Sequence, residues 1–265
     1  MRMNTLSDAW QHRFGGIARL YGNIAMTHLA KSTIAVVGLG GVGSWSAEAL
    51  ARSGVGNIVL IDLDEICVTN TNRQVHTLSS TIGQSKAAAL KERLLGINPE
   101  CQVQVIEAFI DTDNARDLID ASWHGVIDAI DSAGAKAAMI YQCKRKKVPI
   151  IITGASGGKK DPSKVSVIDL SKTTNDPLLA KVRSILKRHY GFTKDPKKHL
   201  SLPAVYSVEK MQYPQPDGSV CTQKGQLQDG VKLDCAGGFG ASTMVTATVG
   251  LQAAAKVIEK VLARA

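Results

Sequence analysis

Four glycines, Gly38, Gly40, Gly41 and Gly43, constrain this chain more than any other feature of it. They lie between the apolar run Ile34-Ala-Val-Val37 and the helix-forming stretch Ser44 to Arg52. A short apolar run of this kind suits a strand buried on both faces of a parallel sheet. A glycine turn after it lets the backbone approach a phosphate, and the following helix points unsatisfied N–H groups and its positive dipole end at the same place. The pattern predicts a nucleotide. Asp62 follows Gly43 by nineteen residues and ends a second apolar run, Ile58-Val-Leu-Ile61, where an acid would accept from ribose hydroxyls. Gly38, Gly40 and Gly43 fit the dinucleotide fingerprint too, so the turn by itself leaves ATP and NAD open.

Downstream the pattern repeats. Ile82 to Asn98 has helical spacing, with Lys86 in the first turn, as a phosphate ligand or a solvated lysine. A third strand is expected at Gln102 to Ile106 and a helix at Asp113 to Ile119. Val126 to Ile130 reads as a fourth strand, carrying Asp128 and running into Asp131-Ser132. Acids at the carboxyl end of a parallel strand face the crevice where such sheets bind ligands, so Asp131 is a magnesium candidate. Its alternative is to cap the next helix, which Ser132 can also do. That helix extends to Lys147, and a fifth strand follows at Val148 to Thr153. Strands alternating with helices predict an α/β fold, a doubly wound, Rossmann-like, mainly parallel sheet.

The flanking regions are less regular. Residues 1–32 read as an N-terminal helical arm, broken at Arg13 to Gly16 and again at Ala18 to Gly22. Residues 156–265 read as an elaborated half, with a strand at Val165 to Leu170, a helix at Asp176 to Tyr190 and a strand at Ala204 to Lys210. A long loop from Tyr213 to Leu233 and a final helix from about Ala241 to Ala263 complete it. With no internal repeat and no clear linker, 1–265 is expected to be a single domain around a nucleotide-binding core at 33–155.

The formal net charge of +9 favours an acidic partner or marks a plain basic surface. Lys187 to His199 concentrates that charge around Tyr190 and Phe192, either to hold phosphates and stack on unpaired bases or as a solvated helix end. The five cysteines are odd in number and include no C-x-x-C pair, so they support neither a disulfide framework nor a four-cysteine zinc site and suit a reducing cytosol. The N-terminus lacks the apolar core of a signal peptide, so a cytoplasmic protein is expected. Ala236 to Ala255 is uncharged for about the length of a bilayer span. Its glycine, alanine, serine and threonine content favours a buried helix, leaving membrane association of the last helix as the lesser alternative.

The text VVGLGGVGSWSAEALARSGVGNIVLIDLD, VTNTNRQ, GQSKA, INPE and VIDAIDS closely resembles the ThiF, MoeB and HesA group of adenylating enzymes, within the ubiquitin-activating-enzyme-like superfamily. The resemblance implies that Gly38, Gly40, Gly41 and Gly43 cradle ATP and that Asp62 holds the ribose with help from Asp64. It further implies that Asn70, Arg73 and Lys86 grip the triphosphate while Asp131 holds Mg2+. It implies a homodimer too, in which Arg13 or Arg19 from the arm of one subunit completes the site of the other. Attack of a carboxylate on the α-phosphate builds charge that such cations neutralise as pyrophosphate leaves.

Members that activate sulfur carriers commonly bind zinc through two C-x-x-C pairs, and this chain has neither. SDAWQHRFGGIARLYG, TGASGGKKDPSKV, DLSKTTNDPLLAKVR, YPQPDGSVC and LDCAGGFGASTMVTATVG instead resemble the branch that dehydrates threonylcarbamoyladenosine in tRNA. That implies a tRNA substrate, explains the basic charge, and suggests a sulfur-acceptor or cysteine-desulfurase system as a partner. Cys235 falls near a functional cysteine of related enzymes, but this chemistry needs no thiolate, and a structural or substrate-adjacent role is preferred. Adenylation of the C-terminus of a sulfur-carrier or ubiquitin-like protein is the rival reading. An NAD-dependent oxidoreductase and a non-catalytic binding module are the others.

Overall fold

The computed structural model describes residues 6–193, 195, 198–215, 217–222 and 239–264; Cys235 lies outside them. The helices are α1 (Asp8–Tyr21), α2 (Asn23–Lys31), α3 (Gly43–Arg52), α4 (Lys86–Ile97), α5 (Ala115–Leu118), α6 (Ala133–Arg145), α7 (Pro177–His189) and α8 (Thr243–Leu262). The strands are β1 (Thr33–Val37), β2 (Asn57–Ile61), β3 (Gln102–Ile106), β4 (Gly125–Asp128), β5 (Ile150–Thr153), β6 (Val165–Asp169), β7 (Pro203–Ser207), β8 (Tyr213–Pro214) and β9 (Val220–Cys221).

Seven strands form one sheet in the order β3-β2-β1-β4-β5-β7-β6, and every pair is parallel except β6 with β7. Pleating divides each strand between two cores. Ala35, Val37, Val59 and Ile61 face α6 and α7, whereas Ile34, Val36, Ile58 and Leu60 face α3, α4 and α8. Burial on both faces is why the central strands read as unbroken apolar runs. Strand order reverses between β1 and β4, and there the carboxyl ends open a crevice.

Several boundaries differ from expectation. Helix α1 runs through Gly15-Gly16, because Trp10 and Phe14 are buried against Met26 and hold it; the break falls at Gly22, whose φ is +93°. Helix α4 starts at Lys86, where Ser85 caps it by accepting from Ala88 N, and α5 has only four residues. Within the expected long loop, β8 pairs with β9 as a short antiparallel ribbon. Helix α8 carries Lys256, Glu259 and Lys260, and no helix among the described residues is long and apolar enough to cross a membrane.

Candidate active site

The crevice begins at the turn between β1 and α3. Gly38 has φ +84°, and a Cβ on it would lie 2.9 Å from Ala129 O. A Cβ on Gly43 would lie 1.8 Å from Gly38 O, so no side chain fits there without moving the turn. Gly40 and Gly41 lie between them, and Ser44 N donates to Gly40 O at 3.1 Å as the helix starts. The result is a tight turn delivering the amino end of α3, its free N–H groups and its positive dipole to the crevice.

Asp62 follows β2 and is buried. Its Oδ2 accepts from Leu39 N at 2.6 Å and its Oδ1 from Asp64 N at 2.8 Å, so the carboxylate anchors the glycine turn to the end of β2. Each oxygen keeps a lone pair for a ribose hydroxyl.

Asp64, expected beside the ribose, is directed elsewhere. Its Oδ2 accepts from Lys86 Nζ at 2.6 Å, and its backbone oxygen accepts from Lys86 N at 3.0 Å. Ile66 N donates to Gln84 O at 2.8 Å and Glu65 bridges to Ser85, so residues 64–66 and 83–86 bind Lys86 to the end of β2. The Lys86 side chain is 8% exposed and that of Asp64 51%, which discards the solvated-lysine alternative.

Arg73 lies across the glycine turn: a Cβ on Gly41 would meet Arg73 Cγ at 3.1 Å. Its Nη1 donates to Thr69 O at 2.8 Å and Asn72 Oδ1 at 2.9 Å, and its carbonyl accepts from Trp45 Nε1 at 3.1 Å. Asn70 is 2% exposed and supports this turn from within. Its Oδ1 accepts from Cys67 N at 3.1 Å and its carbonyl from Arg73 N and Gln74 N, leaving only its amide nitrogen to serve a ligand.

Asp131 is exposed at the end of the β4–α6 connection, directly after Ala129 and Ile130, which pack on the glycine turn. Ser132 caps α6 by accepting from Ala135 N, so Asp131 is not needed as the cap. It makes no hydrogen bond or ion pair among the described residues, which also include no cluster of three metal-ligating side chains. That fits a magnesium ion sharing one carboxylate with phosphate oxygens and water, not an all-protein cage.

Arg13 and Arg19 are exposed on α1, away from this crevice. Arg13 Nη1 donates to Ile97 O at 3.1 Å, at the opposite end of α4 from Lys86, and Arg19 folds back along its own helix toward Gly15 and Gly16.

The elaborated half closes over the same end of the sheet. Gly158 N donates to Gly240 O at 2.7 Å, and Gln212 N to Gly158 O at 2.7 Å, fixing the loop after β5. Asn72 Nδ2 donates to Ala241 O at 2.9 Å, and Thr243 Oγ1 to Asn72 O at 2.7 Å, joining the start of α8 to the arginine segment.

Sequence reasoning placed Asp128 on the fourth strand but missed its partner Lys136, and it missed His76. Asp128 and Lys136 form a 2.6 Å ion pair with both side chains 0% exposed. A charged residue inside an apolar strand requires a counter-charge, and that was the available signal. His76 is buried without a hydrogen-bond partner on either ring nitrogen among the described residues. Burial, with the charges of Lys86 and Arg93, pushes its pKa down to about 4.

Residues 16–264 match the ThiF family. The chain is 50% identical over 260 residues to the tRNA threonylcarbamoyladenosine dehydratase of Escherichia coli strain K12, covering 98% of this chain and 97% of that one. The crystal structure of E. coli tRNA N6-threonylcarbamoyladenosine dehydratase in complex with ATP superposes with a TM-score of 0.87 at 46% identity, covering 98% of each chain. The complex of the same E. coli protein with AMP gives 0.87 at 46% identity, covering 99% of this chain and 98% of that one.

Proposed function

The chain belongs to the ThiF family, and on that premise we propose that it uses ATP to dehydrate threonylcarbamoyladenosine in tRNA. The observation that carries this reading is the extent of the likeness, which spans 98% of the chain and so takes in the elaborated half as well as the nucleotide core. Activation of a protein C-terminus uses the same adenylation and is the rival that the likeness of the second half disfavours.

A carboxylate is a poor electrophile and hydroxide a poor leaving group. In the first step an oxygen of the threonyl carboxylate attacks the α-phosphorus of ATP, and the bond to the pyrophosphate oxygen breaks. In the second an internal nucleophile of the same modified base attacks the acyl carbon, AMP departs and a ring closes. The elements of water are lost overall. Because the nucleophile is tethered, high effective molarity drives closure without a covalent enzyme intermediate or a thiolate such as Cys235.

The glycine turn and the amino end of α3 receive the phosphates, and Asp62 receives the ribose. Arg73 and Lys86 stand where pyrophosphate charge develops, each held by an acceptor that a phosphate can replace: Asn72 Oδ1 and Thr69 O for the arginine, Asp64 for the lysine. Asn70 fixes the turn that aims Arg73. Asp131 would hold Mg2+, whose contribution is neutralisation of triphosphate charge. The exposed arm supports a homodimer in which Arg13 or Arg19 serves the partner's site, with Arg13 already committed to Ile97 O within its own chain. Both halves act as one domain, since β6 and β7 extend the nucleotide-binding sheet. A cytoplasmic location and a sulfur-acceptor partner belong to the same reading.

The test is incubation of the protein with ATP, magnesium and threonylcarbamoyladenosine-containing tRNA, followed by nucleoside mass spectrometry. The expected result is loss of water from the modified nucleoside with release of AMP. ATP binding without that loss would remove the assignment while sparing the fold.

A further inference from the structure

The active site occupies the carboxyl end of the sheet, but the charge singled out in the sequence collects at the opposite end. Helix α7 starts beside the crevice, where Asp176 caps it and accepts from Ala155 N at 2.9 Å. Its thirteen residues carry the chain about 20 Å away before Lys187, Arg188 and His189 end it. Tyr190 then meets Tyr141 of α6 with ring centroids 4.8 Å apart, and the Arg145 guanidinium lies 5.7 Å from the Tyr141 ring centre. Two basic segments far apart in sequence thus share one surface.

Beside them lies a groove of about 280 Å³, lined by the first residues of β5 and β7 and by Lys144, Lys147, Lys260 and Arg264. Arg264 Nη1 donates to Lys147 O at 2.9 Å, which fixes the rim where Lys147 takes a φ of +58°. Among the described residues none of these four cations has a carboxylate within 4 Å: Glu259, next to Lys260 in sequence, is engaged by Lys256 at 2.7 Å. Cations at the ends of α6, α7 and α8 also complement helix dipoles. The dipoles explain neither a concave surface shared by two helix ends nor the lack, among the described residues, of a carboxylate in contact with its cations.

We propose that this groove, with the adjoining Arg145, Lys187 and Arg188, is a docking surface for the phosphate backbone of the tRNA, remote from the adenylation site. The inference rests on the tRNA reading above. Strands of four to five residues put the groove roughly 15 Å from the crevice, within the reach of one stem of a folded RNA. Phosphate contacts position an RNA without reading its sequence, and basic side chains not held in ion pairs serve that purpose.

The experiment compares the full-length protein with K147E/K260E and with the milder K144Q/K147Q/K260Q, which retains most of the stem packing. Arg264 is kept because it supports the rim. Affinity for threonylcarbamoyladenosine-containing tRNA is measured at several salt concentrations, alongside ATP affinity and kcat at saturating tRNA. The charge-reversed protein should bind tRNA at least about tenfold more weakly, with a log–log salt slope shallower by roughly one for each phosphate no longer neutralised. ATP affinity and kcat should be unchanged. If the charge-reversed protein melts early, the glutamine variant decides on the same readings. Parental tRNA affinity and salt slope in a variant that still binds ATP would overturn the groove and leave the proposed reaction standing. An unsubstituted protein that binds ATP but neither binds nor dehydrates the tRNA would overturn both.

Discussion

Two lysine–aspartate pairs stand at the ends of β2 and β4, the strands on either side of β1, and they do different things. At the end of β2, Lys86 in the first turn of α4 reaches Asp64; at the end of β4, Lys136 in the first turns of α6 reaches Asp128. Both ion pairs close to 2.6 Å. What separates them is water: Asp64 is 51% exposed, whereas both side chains of the second pair are at 0%. A lysine whose partner is half solvated can exchange it for a phosphate, because the released carboxylate is rehydrated. A sealed lysine cannot, because the carboxylate left behind would remain buried. Lys136 also donates to Asp128 O at 3.2 Å, and Thr153 Oγ1 donates to that carbonyl at 2.9 Å, so the second pair pins α6 and β5 to the strand leading into Asp131. Identical chemistry thus leaves an exchangeable lysine at the rim and a fixed one inside.

Substitution should separate the two roles. Lys136→Ala leaves an unpaired buried carboxylate and should cost about 3–5 kcal/mol in chemical denaturation, whereas K136M/D128N, which removes both charges, should recover most of that. A single variant as stable as the parent would erase the distinction. At the rim, Lys86→Ala should lower kcat/KM for the dehydration by about 100-fold, while stability changes by less than about 1 kcal/mol because the pair is half exposed. A large fall in the denaturation midpoint would make Lys86 structural as well.

The smallest effect is electrostatic and involves His76, the buried histidine that feels Lys86. A pKa lowered to about 4 means that the unfolded chain takes up the proton first as pH falls. Stability is therefore fully present above about 6.5 and declines as pH drops from there to about 4, by up to roughly 3 kcal/mol. His76→Gln should flatten that part of the pH–stability curve. In Lys86→Ala the His76 pKa, followed by NMR, should rise yet stay below its ordinary value, because burial is the larger cause. No movement would show that the rim lysine's charge does not reach the interior.

The sequence was most legible where one physical signal dominated. β1, β2 and β5 fall within two residues of expectation, since double burial leaves no ambiguity in an apolar run, and the edge strand β3 matches the expected Gln102 to Ile106 through its alternation of polar and apolar residues. Asp62, Arg73, Lys86 and Asp131 were singled out in the sequence and the fold sets them around the glycine turn, although only the fold shows that Asp64 belongs to Lys86 and that Asn70 supports a turn. Tertiary packing accounts for most misses. Trp10 and Phe14 hold α1 together across two glycines that local propensity would break. The antiparallel pairing of β6 with β7 depends on where α7 returns the chain, and no local pattern encodes that. The basic segment around Tyr190 was visible as charge, but that it faces away from the active site follows only from the direction of α7.

Asn72 holds a position whose consequence extends past its own turn. Its side-chain oxygen accepts from the Arg73 guanidinium, its side-chain nitrogen donates to Ala241 O, and its carbonyl accepts from Thr243 at the start of α8. One amide therefore serves as a hinge pin common to the arginine segment across the glycine turn and the segment that opens the last helix. A displacement on either side must be absorbed at this residue, and whatever influence the two sides exert on each other's ligand affinity is equal in both directions.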